Sequence, residues 1–234
     1  MAGGYWRIAS GLLLVPVAVA SVAGCSGSGT STATAAAAKA ASSTGFTAAK
    51  LRSALLTQVN GVAAAAPASS GKYSALSAAN ASKHGASAVQ VTPKTCAGAA
   101  TGFNPTALAG APAAAVTFRV GTNGISEVLI ASSTKSASTV IAGGIPAECA
   151  KYQAKVGGKT YTYGTVEQAV TGIGQQARVL NVQAAGVKSD NLWSLIYRGK
   201  GFVGTVTVVG PNASQKAVTE LGQQAYAFAV KSLS

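Results

Sequence analysis

The sequence predicts an α+β domain, in which a central antiparallel sheet is packed by an N-terminal and a C-terminal helix and held by one disulfide. Two hairpin signals, Gly121-Thr122-Asn123-Gly124 and Gly199-Lys200, interrupt runs rich in Val, Ile, Leu and aromatic residues. Segments with helical apolar spacing stand before the first of these runs and after the last. Helices segregated to one face of an antiparallel sheet define the α+β class.

The first helix is predicted to begin after Thr47, which has the hydroxyl of a good N-cap. Phe46 then precedes the cap and packs on Leu51 as a hydrophobic staple. Asn60-Gly61 is the expected end of the helix. The apolar stripe of this helix has i, i+4, i+8 spacing and consists of Leu51, Leu55 and Val59.

The middle of the chain is predicted to alternate between loops, strands and short helices. Residues 63–112 are dense in Ala, Ser, Gly and Pro and indicate loops with short regular pieces. The strands expected from β-rich composition are residues 114–120, 125–131, 161–170 and 178–187. The short helices expected here are residues 134–142 and 146–155, the second with Pro146 in its first turn and Cys149 inside it.

The last hairpin is predicted to join residues 192–198 and 201–209 through a two-residue turn at Gly199-Lys200. That turn pairs Tyr197 with Phe202, Leu195 with Gly204 and Trp193 with Val206, all on one nearly apolar face. The other face carries Ser194, Arg198, Thr205 and Thr207, with Ile196 and Val203 as apolar exceptions.

A long helix is predicted from Ala213 to about Leu233. Asn212 is the expected N-cap, and Gln215 three residues later completes a capping box. The apolar stripe of this helix consists of Val218, Leu221, Ala225, Phe228, Ala229 and Leu233.

The N-terminus predicts export and lipid attachment. Arg7, a short apolar run from residue 11 to residue 22, and small residues before Cys25 follow the order of a secretory signal peptide. Val22-Ala23-Gly24-Cys25 resembles a bacterial lipobox, so residues 1–24 are predicted to be removed and Cys25 to carry diacylglycerol. An ordinary cleaved signal and a transmembrane helix are the alternatives. The apolar run is shorter than the roughly 20 residues that span a bilayer, and Pro16 interrupts it.

Two segments follow the signal. Residues 25–45 consist almost entirely of Ser, Thr, Ala and Gly and have the composition of a flexible linker. Residues 46–234 are long enough for one domain with a substantial core. The chain is therefore predicted to place one folded domain on the outer face of the cytoplasmic membrane, anchored by lipid. The alanine and glycine bias suggests an actinobacterial source.

The charge favours anionic surroundings. The whole chain has a net charge of +13, and removal of Arg7 with the signal leaves +12. Outside the cytoplasm the anionic partners are phospholipid headgroups and wall polymers, so nucleic acid is not expected. Alternatively, the lysines only keep an alanine-rich surface soluble, because no run of them marks a basic patch.

Cys96 and Cys149 remain after the lipid takes Cys25. In an oxidising compartment they are expected to pair. The bridge is expected to be structural, because the cysteines of a redox pair usually have closer spacing. The chain-entropy model assigns a bridge of this span about 4 kcal/mol.

Catalytic and metal-binding patterns are not found in the sequence. His84 is the only histidine and lies in a polar, loop-like stretch, whereas a Ser-His-Asp triad needs a positioned base. The five carboxylates are isolated from one another, and clustered metal-ligand spacing is absent. We expect no catalytic residue, no metal and no cofactor.

Binding is the remaining kind of function. Aromatic side chains near the last hairpin either line a cleft or fill the core, and the basic residues at its tip face solvent or an anionic surface. The candidate ligand-binding residues are Trp193, Tyr197, Phe202, Arg198 and Lys200.

The order of elements from Leu51 onward resembles the extracytoplasmic sensor domain of the mycobacterial PknH-type serine/threonine kinases and of related lipoproteins. The matching segments are residues 51–56, Thr95-Cys96-Ala97, Glu148-Cys149-Ala150, and residues 206–209 with the helix after them. The resemblance implies an antiparallel sheet and a cleft for an unknown ligand. That family typically has two disulfides, whereas this chain can form one, and no kinase segment is attached.

Together these features predict a lipid-anchored, extracytoplasmic binding or sensor-like module without catalysis. Two alternatives remain at this point: a carrier of lipid or another apolar ligand, and a structural protein that binds anionic cell-wall polymer. Candidate partners are the membrane, through the lipid on Cys25, and an envelope polymer, lipid or small ligand.

Overall fold

The computed structural model describes residues 45–76, 90–101, 105–156, 158–187 and 191–234. The predictions for the signal segment, the linker, Cys25 and His84 lie outside these residues. The helices include α1 (Ala48–Arg52), α2 (Thr134–Ala142) and α3 (Gln215–Leu233). Residues 73–76 are helical as well. Short 3₁₀ segments span Lys94–Thr101, Pro105–Leu108 and Ala147–Cys149.

The strands in chain order are β1 (Gln58–Val59), β2 (Val62–Ala63), β3 (Ser69–Lys72), β4 (Gln90–Thr92), β5 (Pro112–Val120), β6 (Asn123–Ala131), β7 (Lys151–Val156), β8 (Lys159–Val170), β9 (Gln176–Ala184), β10 (Asn191–Gly199) and β11 (Phe202–Val209). β1 and β2 form a separate small hairpin. The others form one nine-stranded antiparallel sheet in the order β3-β5-β6-β11-β10-β9-β8-β7-β4. The predicted α+β class is therefore confirmed.

The centre of the sheet is covered on both faces. On the first face, α1 and α3 pack over the middle strands, as predicted, and their buried contacts include Leu51, Val218 and Leu195. On the second face, α2 and the 3₁₀ segment at Pro105–Leu108 cover Ile196 and Val203. The prediction of helices on one face alone was therefore incomplete. Ile196 and Val203, the two apolar residues on the otherwise polar face of the β10–β11 hairpin, belong to this second buried layer.

α1 begins as predicted and ends early. The Thr47 hydroxyl accepts a hydrogen bond from the Lys50 amide at 3.2 Å. Asn60-Gly61, predicted to end the helix, instead forms the turn between β1 and β2, with φ of 49° and 77°. Two successive positive φ angles are those of a type I′ hairpin turn, which Asn-Gly favours strongly. Val59 is buried, as its place in the stripe predicted, but it lies on a strand.

Residues 146–155 were wrongly predicted as a helix. Only the 3₁₀ turn Ala147–Cys149 forms there, and the chain then enters β7. Tyr152 and Ala154 are buried, whereas Lys151, Gln153 and Lys155 are exposed. That two-residue period is typical of a strand with one buried face.

The β10–β11 hairpin forms, but its turn lies at Lys200-Gly201, one residue later than predicted. Tyr197 pairs with Gly204 and Leu195 with Val206. Gly201 has a φ of 84°, a region that side chains disfavour. The slip moves each partner by two residues, so every side chain stays on its predicted face.

The cap of α3 lies two residues later than predicted. The Ser214 hydroxyl accepts from the Ala217 amide at 3.2 Å, so Ser214 and not Asn212 is the N-cap. The backbone N–H of Asn212 instead donates to Oδ1 of Asn123 at 3.3 Å. Asn123 is the first residue of β6, because the β5–β6 turn lies at Gly121-Thr122. The predicted hairpin is confirmed, with its turn displaced toward Gly121.

Candidate functional site

The five predicted ligand-binding residues lie on one hairpin but not in one site. Tyr197 and Phe202 are completely buried in the first-face core and meet edge to face, with 6.3 Å between ring centroids. Trp193 is half-buried on the same face. Arg198 points to the second face, where its Nη1 donates to the Ser138 hydroxyl at 2.8 Å. Lys200 is exposed at the turn. Ligand binding by these residues stays a prediction.

Two glycines explain why the hairpin buries its aromatic rings. A side chain at Gly199 would collide with the Phe202 ring, and one at Gly204 would collide with the Tyr197 ring and hydroxyl. Each ring therefore lies flat across the glycine opposite it on the neighbouring strand. This arrangement fills the core beneath α3, where Tyr226 packs edge to face on Tyr197 at 5.7 Å.

Glu127 is a buried carboxyl in the middle of this apolar face. It lies between Val116 and Val206 on the neighbouring strands and is 1% exposed. Its Oε2 accepts a hydrogen bond from the Leu56 amide at 2.8 Å. Burial raises the pKa of Glu127 from 4.5 to about 8, and the Leu56 hydrogen bond offsets only part of that shift. At neutral pH the folded protein therefore holds Glu127 mainly as the neutral acid.

The Tyr197 hydroxyl is the second polar group in this core. Within the described residues neither this hydroxyl nor Glu127 Oε1 has a hydrogen-bond partner. Burial raises the pKa of Tyr197 well above its usual value, and the nearby Glu127 carboxylate raises that pKa further. Both groups are closed off from solvent by α1 and α3, so they affect stability and do not form an accessible site.

An ion pair between Arg178 and Glu167 fastens α2 to the second face. Arg178 Nη1 donates to Glu167 Oε1 and to the Gly143 carbonyl at 3.0 Å. Its Nη2 donates to the Val140 carbonyl at 3.3 Å, so the guanidinium caps the C-terminal end of α2. Glu167 Oε2 accepts from the Ile145 amide at 2.9 Å. These two charges therefore have a structural role. Glu167 and Arg178 lie on neighbouring strands, and the register between these strands cannot be predicted from the sequence of either one. Sequence reasoning therefore missed the pair.

The predicted disulfide is confirmed. Cys96 and Cys149 are bonded, fully buried and 5.3 Å apart between Cα atoms. The bridge joins the 3₁₀ segments Lys94–Thr101 and Ala147–Cys149 over the second face of β7, β8 and β9. Beside it the rings of Tyr152 and Tyr163 stack with centroids 5.4 Å apart. This cluster buries only one face of the outer strands.

The opposite face of the outer strands β4, β7 and β8 is an exposed polar surface of the sheet. α3 reaches it only at its border, where Gln215 Nε2 donates to the side-chain oxygen Oε1 of Gln168 at 3.2 Å. Beyond that border the side chains of β4, β7 and β8 on this face are exposed. We call this surface the open face, and its defining residues are Gln90, Lys151, Gln153, Lys155, Thr160 and Thr162.

The open face carries positive charge and hydrogen-bonding groups. Lys155 stands between Gln90 and Thr160 on the neighbouring strands, and Lys151 stands opposite Gly164. The two lysines are four residues apart on one strand, a separation of about 13 Å. In the described part of the chain neither lysine belongs to an ion pair. The residues that define this face therefore include two lysines and no carboxylate.

No group of three or more His, Cys, Asp and Glu side chains in the described ranges is placed to hold a metal ion. Of the helices described, none combines the length and the apolar character needed to cross a bilayer.

The chain matches no family model and no curated protein. The solved structures that are similar to it include two from mycobacteria. The extracellular domain of PknH from Mycobacterium tuberculosis is 14% identical, with a TM-score of 0.42 over 62% of this chain and 77% of that one. A putative uncharacterized protein from Mycobacterium smegmatis, an Rv0999 ortholog, is 16% identical, with a TM-score of 0.37 over 73% of this chain and 85% of that one. The domain that the sequence resembles is thus among the matched structures. At these scores the function proposed below rests on this chain's own residues.

Proposed function

We propose that this chain is a lipid-anchored module on the outer face of the cytoplasmic membrane, which binds a partner at its surface and has no catalytic activity. The Cys96–Cys149 disulfide carries this proposal. It is fully buried and joins two segments that have little other regular structure. Structural disulfides of this kind form and persist in oxidising compartments outside the cytoplasm.

The N-terminal sequence supports the lipid anchor. Ala23-Gly24-Cys25 provides small residues before a cysteine at the end of a short apolar run. A diacylglycerol on that cysteine supplies two acyl chains, which give stable attachment where one chain does not. The folded domain then begins at about residue 46, a short distance along the chain from the membrane.

The placement of the ionisable groups supports binding rather than catalysis. Glu127 and Tyr197 have raised pKa values, but both are sealed in the core. Glu167 and Arg178 hold α2, as described above. A catalytic group must reach its substrate within hydrogen-bond distance, and these four groups are committed to the interior or to the support of a helix. The open face, in contrast, presents its lysines and its amide and hydroxyl groups to solvent.

Replacing Cys25 by serine tests the anchor. In a host that processes lipoproteins, the wild-type chain is expected in the membrane fraction, sensitive to protease added to intact cells. Because Cys25→Ser removes the thiol that carries the lipid, we expect the variant to leave that fraction. Fractionation and immunoblotting measure the distribution, with Ser26→Ala as a control that should stay with the membrane. Equal membrane association of wild type and Cys25→Ser would contradict the lipid anchor.

A further inference from the structure

We infer that the open face is a docking surface for a hydroxyl-rich, polyanionic polymer of the cell envelope. The inference deepens the proposed function, on which it rests for placing the chain outside the cytoplasm. It follows from three observations: no described helix covers three strands of the sheet on this side, their exposed side chains are positively charged, and polar groups stand beside that charge.

The open face is distinct from the rest of its side of the sheet. On β5, β6, β11 and β10 the same side is buried beneath α1 and α3 and is lined by apolar residues such as Val116, Leu129 and Leu195. On β7 the residues of this side are Lys151, Gln153 and Lys155, all exposed. The sequence therefore maintains a polar surface here, while the opposite side of the same strands is packed on the disulfide cluster. An exposed polar surface that extends across three strands suits an extended ligand.

The charges complement an anionic ligand. Lys151 and Lys155 project from one strand, and Gln90 and Thr160 flank Lys155 on the strands to either side. Of the four described carboxylates, Glu127 and Glu167 are engaged as described above, and Glu220 pairs with Lys216 on α3. The fourth, Glu148, is exposed in the 3₁₀ segment that precedes β7 and is not one of the residues that define the open face. An anionic chain lying across β7 would therefore meet two lysines about 13 Å apart without a repelling charge from the open face.

The neutral groups favour a polymer over a bilayer or an apolar protein surface. Gln90, Gln153, Thr160 and Thr162 offer amide and hydroxyl groups, each able to donate and to accept hydrogen bonds. Surfaces that insert into membranes carry bulky apolar side chains, and protein interfaces are centred on aromatic anchors. Val166, 56% exposed on β8, is the one large aliphatic side chain beside the open face among the described residues. Hydroxyl-bearing repeats with phosphodiester charges match these groups.

Gly164 provides a shallow hollow next to Lys151. It stands between Lys151 and Gln183 in the register, and nothing lies within 4 Å of the position that a β-carbon would occupy. Its φ lies outside the left-handed region, so a side chain fits there without strain. The hollow allows a ligand to approach the backbone, and it also allows a blocking substitution that leaves the fold intact.

The test measures binding of the mature chain, made lipid-free by Cys25→Ser, to purified poly(glycerol phosphate). We expect salt-sensitive binding that weakens about tenfold, equivalent to roughly 1.4 kcal/mol, in Lys151→Glu/Lys155→Glu, because two attractions become repulsions. Gly164→Glu should weaken binding as well. The matched control is Lys135→Glu/Lys231→Glu, which makes the same change in net charge on α2 and α3 and should bind like wild type.

Circular dichroism and thermal melting establish whether each variant is folded. If Lys151→Glu/Lys155→Glu does not fold, Gly164→Glu tests the docking surface in its place. Equal losses in both double variants would overturn the inference, because net charge alone would then explain binding. Binding to vesicles containing phosphatidylglycerol but not to the polymer would assign the face to the membrane and overturn it too. An absence of polymer binding by wild type would refute the docking surface while leaving the lipid anchor, tested separately with Cys25→Ser, unaffected.

Discussion

Replacing Glu127 by glutamine is expected to remove most of a pH dependence from the stability of the folded domain. In the wild type the folded pKa of Glu127 is about 8, against 4.5 for an unperturbed glutamate. Between these values the folded state retains a proton that the unfolded state releases. The contribution of Glu127 to the free energy of unfolding is therefore greatest below about pH 4.5, falls as the pH rises, and levels off above about pH 8. The total loss attributed to this one group is about 5 kcal/mol.

The Glu127→Gln variant keeps an oxygen for the Leu56 amide and carries no charge at any pH. Its buried amide has a constant cost, so the informative quantity is the slope of stability against pH. We expect wild type to lose stability between pH 5 and pH 8.5 relative to the variant, as measured by urea unfolding at several pH values. Glu220→Gln changes an exposed carboxylate and is the control, which should follow the wild type. Parallel curves for wild type and Glu127→Gln would show that Glu127 is not a buried neutral acid.

Removal of the disulfide is expected to destabilise the domain by about 4 kcal/mol. The bridge spans 53 residues, and opening it restores the conformational entropy of that loop in the unfolded chain. For a domain of this size the corresponding fall in melting temperature is about 10 °C. The measurement compares wild type with Cys96→Ser/Cys149→Ser by differential scanning calorimetry.

Reductant provides the control for the disulfide variant. It should lower the melting temperature of the wild type toward that of Cys96→Ser/Cys149→Ser and leave the double variant unchanged. If the double variant melts at the wild-type temperature, the disulfide is not a structural element of this fold. The proposal of an oxidising location would then lose the observation that carries it.

Local patterns in the sequence predicted the elements well where turn chemistry and periodicity agree. The β10–β11 hairpin was predicted with the right strands and faces. Its register was wrong because Gly199 and Gly201 both suit a turn, and the rings that cover Gly199 and Gly204 decide between them. Asn60-Gly61 was interpreted as a helix end because both a helix end and a type I′ turn favour the same residues.

The burial of Glu127 can be predicted from the sequence. Ile125, Glu127 and Leu129 alternate along a predicted strand, so the period of two already places Glu127 on the apolar face. The sequence contains no comparable pattern that predicts the open face. Gln90, Lys155 and Thr160 become neighbours only through the pairing of β4, β7 and β8, and β7 was predicted as a helix. A basic surface built across strands therefore cannot be recognised by looking for a run of lysines.

Native mass spectrometry of residues 26–234, purified from the protein's own host, tests most directly whether this chain works through its surface. We expect the mass of the polypeptide with its one disulfide and no small molecule retained in stoichiometric amount. A bound mass that is released on denaturation would contradict the account, because the domain would then enclose its ligand as a carrier does.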